Sequence, residues 1–203
     1  MEESKASLRS RLVAARAAMA PRQREEAGRA LRDAVLDLPE VSTAGTVAAY
    51  YSVRSEPPTQ GLVYALWKRG TYVLLPVLRP DGDLDWASYE GPDSLTPGSF
   101  GLLEPSEVLR GPDAVTRADV VLAPALACDP AGNRLGRGGG SYDRALARVQ
   151  GTVLTMALVY DDELLDSVPT EPHDVPVHAI ARPRHGITRL TGWLCLAVSH
   201  SEC

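Results

Sequence analysis

The chain has 203 residues, of which 44% are apolar and 23% are charged, and these values are ordinary for a globular protein. We expect a single domain spanning residues 1–203, because this length supports one sizeable hydrophobic core. The formal net charge of −5 argues against a general nucleic-acid-binding surface, so an anion site would have to be local.

Neither a membrane span nor a targeting segment is expected. The uncharged stretches fall well short of the roughly 20 apolar residues that a membrane-spanning helix needs. The acidic start of the chain, Glu2 and Glu3, argues against a secretory signal or a transit peptide. The three cysteines have no metal-ligand spacing and fit a reducing compartment better than a disulfide framework. The sequence therefore predicts a cytoplasmic protein, which we expect to be a monomer.

The first half of the chain predicts two helices followed by a strand, a helix and two strands, over residues 4–19, 22–38, 45–52, 58–70, 71–77 and 84–90. Pro21 separates the two helices. Leu8 and Leu12 belong to an apolar face with helical spacing in the first of them. Gly70 has the position of a helix C-cap.

The second half predicts a strand, a helix and a further strand, over residues 118–127, 141–150 and 151–160. Residues 91–116, rich in proline and glycine, are expected to form a long surface connection. The first strand, ADVVLAPALA, is almost continuously apolar, which is typical of a central parallel strand. The alternation predicts an α/β fold: a three-layer, doubly wound, mostly parallel sheet with helices on both faces. Residues 186–203 match no pattern that we can assign.

The segment NRLGRGGGSYDR, residues 133–144, contains four glycines and three arginines. It follows a predicted buried strand and opens a predicted helix, the place where open α/β sheets bind ligands. Exposed amides at a helix N-terminus attract phosphate, and Arg134 and Arg137 can add charge-assisted hydrogen bonds. The segment is not a P-loop, because the lysine is missing, and Ser141 breaks the G-x-G-x-x-G pattern. The alternative is a flexible surface turn in an arginine-rich protein.

The stretch AGNRLGRGGGSYDRAL, residues 131–146, resembles the signature of the 5-formyltetrahydrofolate cyclo-ligase family, roughly G-x-R-L-G-x-G-x-G-[YF]-Y-D-R. Four further segments resemble the family in the right order: Lys5 with Arg9 as K-x-x-x-R, YYSVRSEPPT with its glutamate, FGLLEPS, and PTEPHDVPV. The resemblance extends from residue 5 to about residue 182. Two positions depart from the family pattern, since Ser141 replaces an aromatic residue and His178 stands where an aspartate is usual.

The resemblance implies conversion of 5-formyltetrahydrofolate to 5,10-methenyltetrahydrofolate with ATP and magnesium. The formyl oxygen would take the γ-phosphoryl group, and ring closure would then release phosphate beside the ADP already formed. Such chemistry depends on positioning and charge neutralisation more than on a protein nucleophile. The residue inventory agrees, because no Ser-His-Asp set and no zinc spacing is recognisable in the sequence.

The resemblance also implies roles for particular residues. The ATP phosphates would be bound by Lys5, Arg9, Arg134, Leu135, Gly136, Arg137, Gly138, Gly139, Gly140, Ser141 and Tyr142. Within that set, Arg134, Arg137 and Tyr142 would act in catalysis. The reduced folate would contact Tyr51, Glu56, Phe100 and Tyr142. Asp143 and Asp174 would bind magnesium, which prefers carboxylate, phosphate and water oxygens.

Each residue also has a plain structural interpretation. Lys5 and Arg9, one helical turn apart, could form a solvated basic face. Asp143 could serve helix-start electrostatics, and Asp174 could be a turn residue between prolines. Tyr51 is compatible with a strand core and Glu56 with a helix start. We expect Trp86 in the core rather than in a pocket wall, and Cys128 as a buried small residue at a strand end.

Two other functions remain compatible with the sequence. A nucleotide- or folate-binding module of the same fold could have lost turnover, although a binder would not need every one of the charged residues. A sugar-phosphate enzyme of similar architecture is disfavoured, because the sequence has no clear acid and base pair.

Overall fold

The computed structural model describes residues 3–98 and 101–190. Its α-helices are α1 Lys5–Ala18, α2 Pro21–Leu36, α3 Pro39–Ser42, α4 Gln60–Lys68 and α5 Ser141–Arg148. Its strands are β1 Thr46–Ala48, β2 Tyr72–Leu78, β3 Leu84–Ser88, β4 Leu95–Pro97, β5 Leu103–Pro105, β6 Val120–Pro124, β7 Ala127–Cys128, β8 Arg134–Leu135, β9 Leu154–Leu158, β10 Ala179–Arg182 and β11 Gly186–Arg189. None of the described helices is long and apolar enough to cross a membrane.

Seven strands form the central sheet in the order β11-β10-β9-β6-β1-β2-β3. The five inner strands are parallel, while β3 and β11 add to the two edges in antiparallel orientation. Strands β6 and β9 read VVLAP and LTMAL and are buried almost throughout, as expected for strands covered on both faces. The predicted mostly parallel α/β sheet is therefore confirmed.

Helices cover both faces of this sheet. On one face, α2 and α4 pack through Leu31, Val35, Leu62 and Leu66 into the core formed with β1, β2, β6 and β9. On the other face, α5 packs through Leu146 with a 3-10 segment, Pro112–Arg117. Helix α1 lies apart from both layers and packs through two leucines against the segments around β7 and β8.

The structure refines several predicted boundaries. The predicted surface connection over residues 91–116 contains the small β4-β5 sheet, so it is more ordered than its composition suggests. The predicted strand over residues 118–127 is divided into β6 and β7, because the chain leaves the main sheet after Pro124 to pair with β8. Within the unassigned residues 186–203, the first four form β11, and residues 191–203 lie outside the described part of the chain.

The order of the strands places a topological switch point at the centre of the sheet. From β1 the chain proceeds to β2 on one side, and later to β6 on the other side. In open α/β sheets, ligands bind in the crevice beyond the carboxyl ends of the strands at such a point. The segments that follow β1 and β6 are therefore the first place to look for a site.

Candidate active site

A cavity of about 370 Å³ opens at this switch point. Three parts of the chain provide most of its wall: the inner face of α1, the segment that follows β1, and the glycine loop with the start of α5. The predicted site residues that line it are Lys5, Arg9, Tyr51, Glu56, Arg134, Leu135, Gly136, Arg137, Gly138, Gly139, Gly140, Ser141, Tyr142, Asp143 and Asp174. The fold thus brings together residues that are as far apart in the sequence as Lys5 and Asp174.

The glycine loop joins β8 to α5. Its backbone requires glycine at two positions, because φ is +101° at Gly138 and +66° at Gly140, which is the N-cap of α5. At Gly139 a side chain would meet only ordinary contact, 3.5 Å from the Ser141 hydroxyl oxygen. The Ser141 hydroxyl donates to the carbonyl of Gly82 at 2.5 Å and fixes the helix end of the loop. The predicted position between a strand and a helix is confirmed.

Arg134 and Asp143 form an ion pair on the wall of the cavity. Arg134 Nη2 lies 2.6 Å from Asp143 Oδ1, and the two side chains are only 3% and 15% exposed. The amide of Val175 also faces this carboxylate oxygen, at 3.4 Å. Arg134 Nε is buried and has no hydrogen-bond partner among the described residues. The guanidinium is thus held in place while its buried Nε–H remains available to another group.

Helix α1 contributes two cationic side chains, one of which contacts the glycine loop. Lys5 Nζ donates to Asp174 Oδ2 at 2.7 Å and lies 3.6 Å from Glu171 Oε2. Arg9 Nε donates to the carbonyl of Gly136 at 2.9 Å. These contacts join residues that are at least 127 positions apart in the sequence. Lys5 and Arg9 therefore line the cavity and do not form a solvated basic face.

Asp174 lies at the rim of the cavity beside Lys5. Burial alone would raise the pKa of Asp174, but hydrogen bonds from Lys5 and from the Glu171 amide lower it below its ordinary value. The carboxylates of Glu171 and Asp174 and the His173 ring form a group whose ligand atoms lie within 4.8 Å of one another. Hard carboxylate oxygens of this kind suit magnesium, whereas the imidazole does not. Asp143 does not belong to this group. Its Oδ1 faces the backbone amide of Val175, the residue that follows Asp174.

The cavity is also lined by a carboxylate and two tyrosines. Glu56 is 9% exposed, accepts a hydrogen bond from the Val53 amide at 3.0 Å, and pairs with Arg137 Nε at 3.2 Å. Burial raises the pKa of Tyr51, which is half-buried with its ring 6.3 Å from that of Tyr89. Burial raises the pKa of Tyr142 strongly, and its hydroxyl has no partner among the described residues. These three residues therefore offer flat aromatic surface, one acceptor group and a protonated phenol.

Phe100, the remaining predicted contact, lies outside the described residues. Its near neighbours Leu102 and Leu103 line the cavity. Trp86 does not line it and is fully buried in the core, as expected. Cys128 is fully buried at the end of β7, and burial raises the pKa of its thiol to about 12, so it is an inert core residue.

The sequence patterns did not reveal Arg16, Tyr50 or Glu171 as cavity residues. Arg16 is 2% exposed and forms two hydrogen bonds with Glu163, at 2.6 and 2.8 Å. Its spacing of seven residues from Arg9 places both arginines on one face of α1, which is the only signal that the sequence carried for it. Tyr50 lies one position from the predicted Tyr51, and nothing in the pattern separates the two.

Comparison with known proteins agrees with this arrangement. Residues 1–183 match the model of the 5-formyltetrahydrofolate cyclo-ligase family. A 5-formyltetrahydrofolate cyclo-ligase of Mycolicibacterium smegmatis is 42% identical over 192 residues, which cover 92% of this chain and 97% of the relative. The Escherichia coli K12 protein of the same name is 34% identical and covers 83% of this chain and 94% of its own length.

A solved structure is also similar. The 5,10-methenyltetrahydrofolate synthetase of Aquifex aeolicus superposes with a TM-score of 0.80 at 26% identity, covering 92% of this chain and 93% of the other. The match of the family model over nearly all of the chain and the identity to the bacterial relatives agree with the motifs that line the cavity. The chain therefore belongs to the 5-formyltetrahydrofolate cyclo-ligase family.

Proposed function

We propose that this enzyme cyclises 5-formyltetrahydrofolate to 5,10-methenyltetrahydrofolate in a reaction that consumes ATP, requires magnesium and releases ADP and phosphate. One observation carries the proposal: a single cavity is lined both by the glycine loop with its cations and by Glu56 with two tyrosines, and the ion pair of Glu56 with Arg137 joins the two sets. A triphosphate bound to the first set and a flat heterocycle bound to the second would meet within this cavity. This geometry favours group transfer between two bound substrates.

The proposed chemistry has two steps. The formyl oxygen attacks the γ-phosphorus of ATP, the bond between that phosphorus and the β,γ-bridging oxygen breaks, and ADP leaves. The formyl carbon, now bearing a phosphate ester, is attacked by N10 of the same folate. N10 loses its proton, the carbon–oxygen bond to the phosphate breaks, and the methenyl bridge remains between N5 and N10. Neither step requires a nucleophile from the protein.

The contribution of the protein is to position and neutralise the phosphates. The amides of the glycine loop and of the start of α5 can approach phosphate oxygens closely, since Gly138, Gly139 and Gly140 have no side chains. Arg134 would donate through its unpartnered Nε. Arg137, which is 44% exposed at the side chain, would bridge from Glu56 towards the transferred group. Lys5 and Arg9 would bind the triphosphate from α1.

Magnesium fits the donors at the rim of the cavity. Asp174 would hold the ion, with the Glu171 carboxylate within 4.8 Å of it, and Asp143, which lines the same cavity, would have to turn from Arg134 to join them. When bound, the ion would offset the negative charge of the triphosphate and so favour approach of the formyl oxygen. Lys5 now neutralises Asp174, so we expect its ammonium to turn towards phosphate when the carboxylate binds the metal.

The folate would bind against Glu56, Tyr51 and Tyr142, which line the cavity. Glu56 can accept hydrogen bonds from the amino group and ring N–H of the pterin, and Tyr51 can stack on the flat ring. Tyr142 lies in the first turn of α5, directly after the glycine loop, and also lines the cavity, so it would contact the substrate where the two subsites meet. Ser141, which differs from the family pattern, is used in a bond to Gly82, and the substitution leaves the loop anchored.

The test is a spectroscopic assay with purified protein, 5-formyltetrahydrofolate, ATP and magnesium, which follows the absorbance of the methenyl product. We expect product only when ATP and a divalent metal are both present. Turnover that persists after complete chelation of the metal would refute the metal requirement. If both ligands bind and no product forms, the protein is instead a binding module that has lost turnover.

A further inference from the structure

Six buried side-chain polar atoms in the described residues have no hydrogen-bond partner, and three of them belong to residues that line the cavity. These are the Tyr50 hydroxyl, the Tyr142 hydroxyl and Arg134 Nε. A buried polar group without a partner costs free energy, and native proteins contain few of them. Their concentration around one cavity indicates donors that are kept for a ligand. Tyr142 and Arg134 already have proposed roles, whereas Tyr50 has none.

Tyr50 lies at the carboxyl end of β1, beside the position where the folate would sit. Its side chain is 4% exposed, and Glu56, Arg16, Tyr142 and Tyr160 are its titratable neighbours. Burial, and then the charge of Glu56, raises the pKa of Tyr50 well above its ordinary value. The hydroxyl therefore stays protonated at neutral pH and can donate a hydrogen bond.

Its neighbour Tyr160 provides a useful contrast. The Tyr160 hydroxyl donates to the backbone carbonyls of Glu56 and Ser55, at 3.2 and 3.4 Å. That phenol is used to hold the Glu56 segment in place. The Tyr50 hydroxyl is also buried but makes no hydrogen bond within the described residues, so it contributes nothing of this kind to the unliganded fold.

The edge of the pterin ring shows which group Tyr50 would meet. This edge presents an amino group and a ring N–H, which are donors, followed by a carbonyl, which is an acceptor. The carboxylate of Glu56 can satisfy only the two donors. We propose that the Tyr50 hydroxyl donates to the adjacent pterin carbonyl and so completes recognition of this edge. The inference rests on the proposed function, because it takes the reduced folate as the ligand of Glu56.

The experiment compares the parent protein with Tyr50→Phe by calorimetric titration of 5-formyltetrahydrofolate without ATP, and separately of ATP without folate. We expect the Kd for the folate to rise about tenfold, the effect of one lost hydrogen bond in a buried site. The Kd for ATP should change less than twofold. The Tm of the unliganded variant should be equal to or higher than that of the parent, because no bond of the free protein is removed.

Two controls make the result specific. Tyr160→Phe should lower the Tm of the unliganded protein, since it removes bonds that are present there. Tyr72→Phe, at a side chain that is 37% exposed at the other end of the sheet, should change neither Tm nor Kd. An unchanged folate Kd in Tyr50→Phe would overturn the inference, as would equal weakening of ATP and folate. Failure of the parent protein to bind the folate at all would instead overturn the proposed function.

Discussion

Arg134 combines a buried charge with an unused donor, which makes it the most informative single residue of the cavity. Its side chain is 3% exposed, and Nη2 pairs with Asp143 at 2.6 Å. A guanidinium that is removed from water needs a negative partner, since the cost of desolvation is several kcal/mol. Asp143 therefore holds Arg134 in position before any ligand arrives, and its structural role exists beside any role in metal binding.

Asp143→Asn removes the charge that faces Arg134 while keeping the size of the side chain. We expect the free energy of unfolding to fall by about 2 kcal/mol, because one partner of a largely buried pair is lost. For a domain of this size that corresponds to a decrease of roughly 4–8 °C in Tm. A thermal melt of the unliganded protein measures it. Asp33→Asn is the matched control, since the Asp33 side chain is 62% exposed, and similar melts for the two variants would contradict the prediction.

The ionisation of Asp174 makes the stability of the folded protein depend on pH. Its pKa is lower in the folded protein than its ordinary value of about 3.9, so the unfolded chain binds the proton more readily. The stabilisation is therefore complete above that ordinary value and is lost as the pH falls through the lower, folded value. We expect Asp174→Asn to show a smaller decrease in Tm below about pH 4 than the parent. Melts across this range, with the exposed Asp162→Asn as control, would contradict the prediction if all three fell in parallel.

The cavity residues that could be predicted from the sequence are mainly those that lie close together in one recognisable motif. The glycines and arginines of residues 133–144 are adjacent in the chain, so their place in one loop could be predicted without a structure. Tyr50 and Arg16 could not be recognised in this way. Arg16 depends on Glu163, which lies 147 residues away, and the role of Tyr50 depends on the burial of one hydroxyl. Tertiary contacts of this kind leave no periodicity in a single sequence.

At the scale of elements, the glycine loop has positions with different requirements. Gly138 has a positive φ, and a side chain there would be strained and close to the Arg9 guanidinium, at 3.3 Å. Gly139 has neither restriction, because its nearest neighbour would be the Ser141 hydroxyl oxygen at 3.5 Å. The absence of a side chain at Gly139 is therefore not explained by the unliganded fold. Close approach of a phosphate to the backbone would explain it.

Gly139→Val separates the two requirements. We expect the variant to fold with a Tm close to that of the parent and to bind ATP at least tenfold more weakly, because the branched side chain blocks approach to the amides. Calorimetric titration of ATP and a thermal melt measure the two effects. Gly61→Ala in α4, where a Cβ would lie 3.7 Å from its nearest neighbour, is the control: it should leave ATP binding unchanged and should not lower the Tm, since alanine favours the helix. Undiminished ATP binding by a folded Gly139→Val would show that the loop is not a phosphate site.

Elements with a strong pattern of apolar residues were predicted well. Elements whose bounds depend on pairing with another strand were not. The apolar runs of β6 and β9 reflect burial on both faces, and the amphipathic pattern of α2 and α4 reflects burial on one face, so each of these elements contains its own signal. The division of residues 118–127 depends on β8, because the Leu126 amide donates to the Leu135 carbonyl at 2.7 Å. No local propensity specifies a bond across that distance in sequence, so the predicted strand was too long.

Considered as a whole molecule, the protein is a sheet with helices on both faces and one additional helix that completes the site. Helix α1 contacts the rest of the chain through Leu8 and Leu12 and through the buried pair of Arg16 with Glu163. Arg16 Nη2 also donates to the carbonyl of Ala125, directly after β6, at 2.6 Å. The pair thus joins α1 to the carboxyl ends of the strands, and this connection places Lys5 and Arg9 over the cavity.

Glu163→Gln tests whether this connection matters for function as well as for stability. Loss of one partner leaves the Arg16 charge buried, so we expect the free energy of unfolding to fall by about 3 kcal/mol and the Tm by roughly 6–12 °C. ATP binding should also weaken in the folded variant, because α1 presents two of the proposed phosphate contacts. Thermal melts and titration of ATP at a temperature where the variant is fully folded measure both effects.

Two further variants decide between a charge effect and general damage. Glu26→Gln removes one partner of an exposed pair, with Arg22 88% exposed, and should change neither quantity. Arg16→Met combined with Glu163→Leu removes both charges and should recover much of the stability, since apolar side chains of similar volume can replace a buried ion pair. Full ATP affinity in a destabilised Glu163→Gln would show that α1 keeps its position without the pair. An unchanged Tm would show that Arg16 finds solvent or another partner, and the pair would then not be what holds α1 to the sheet.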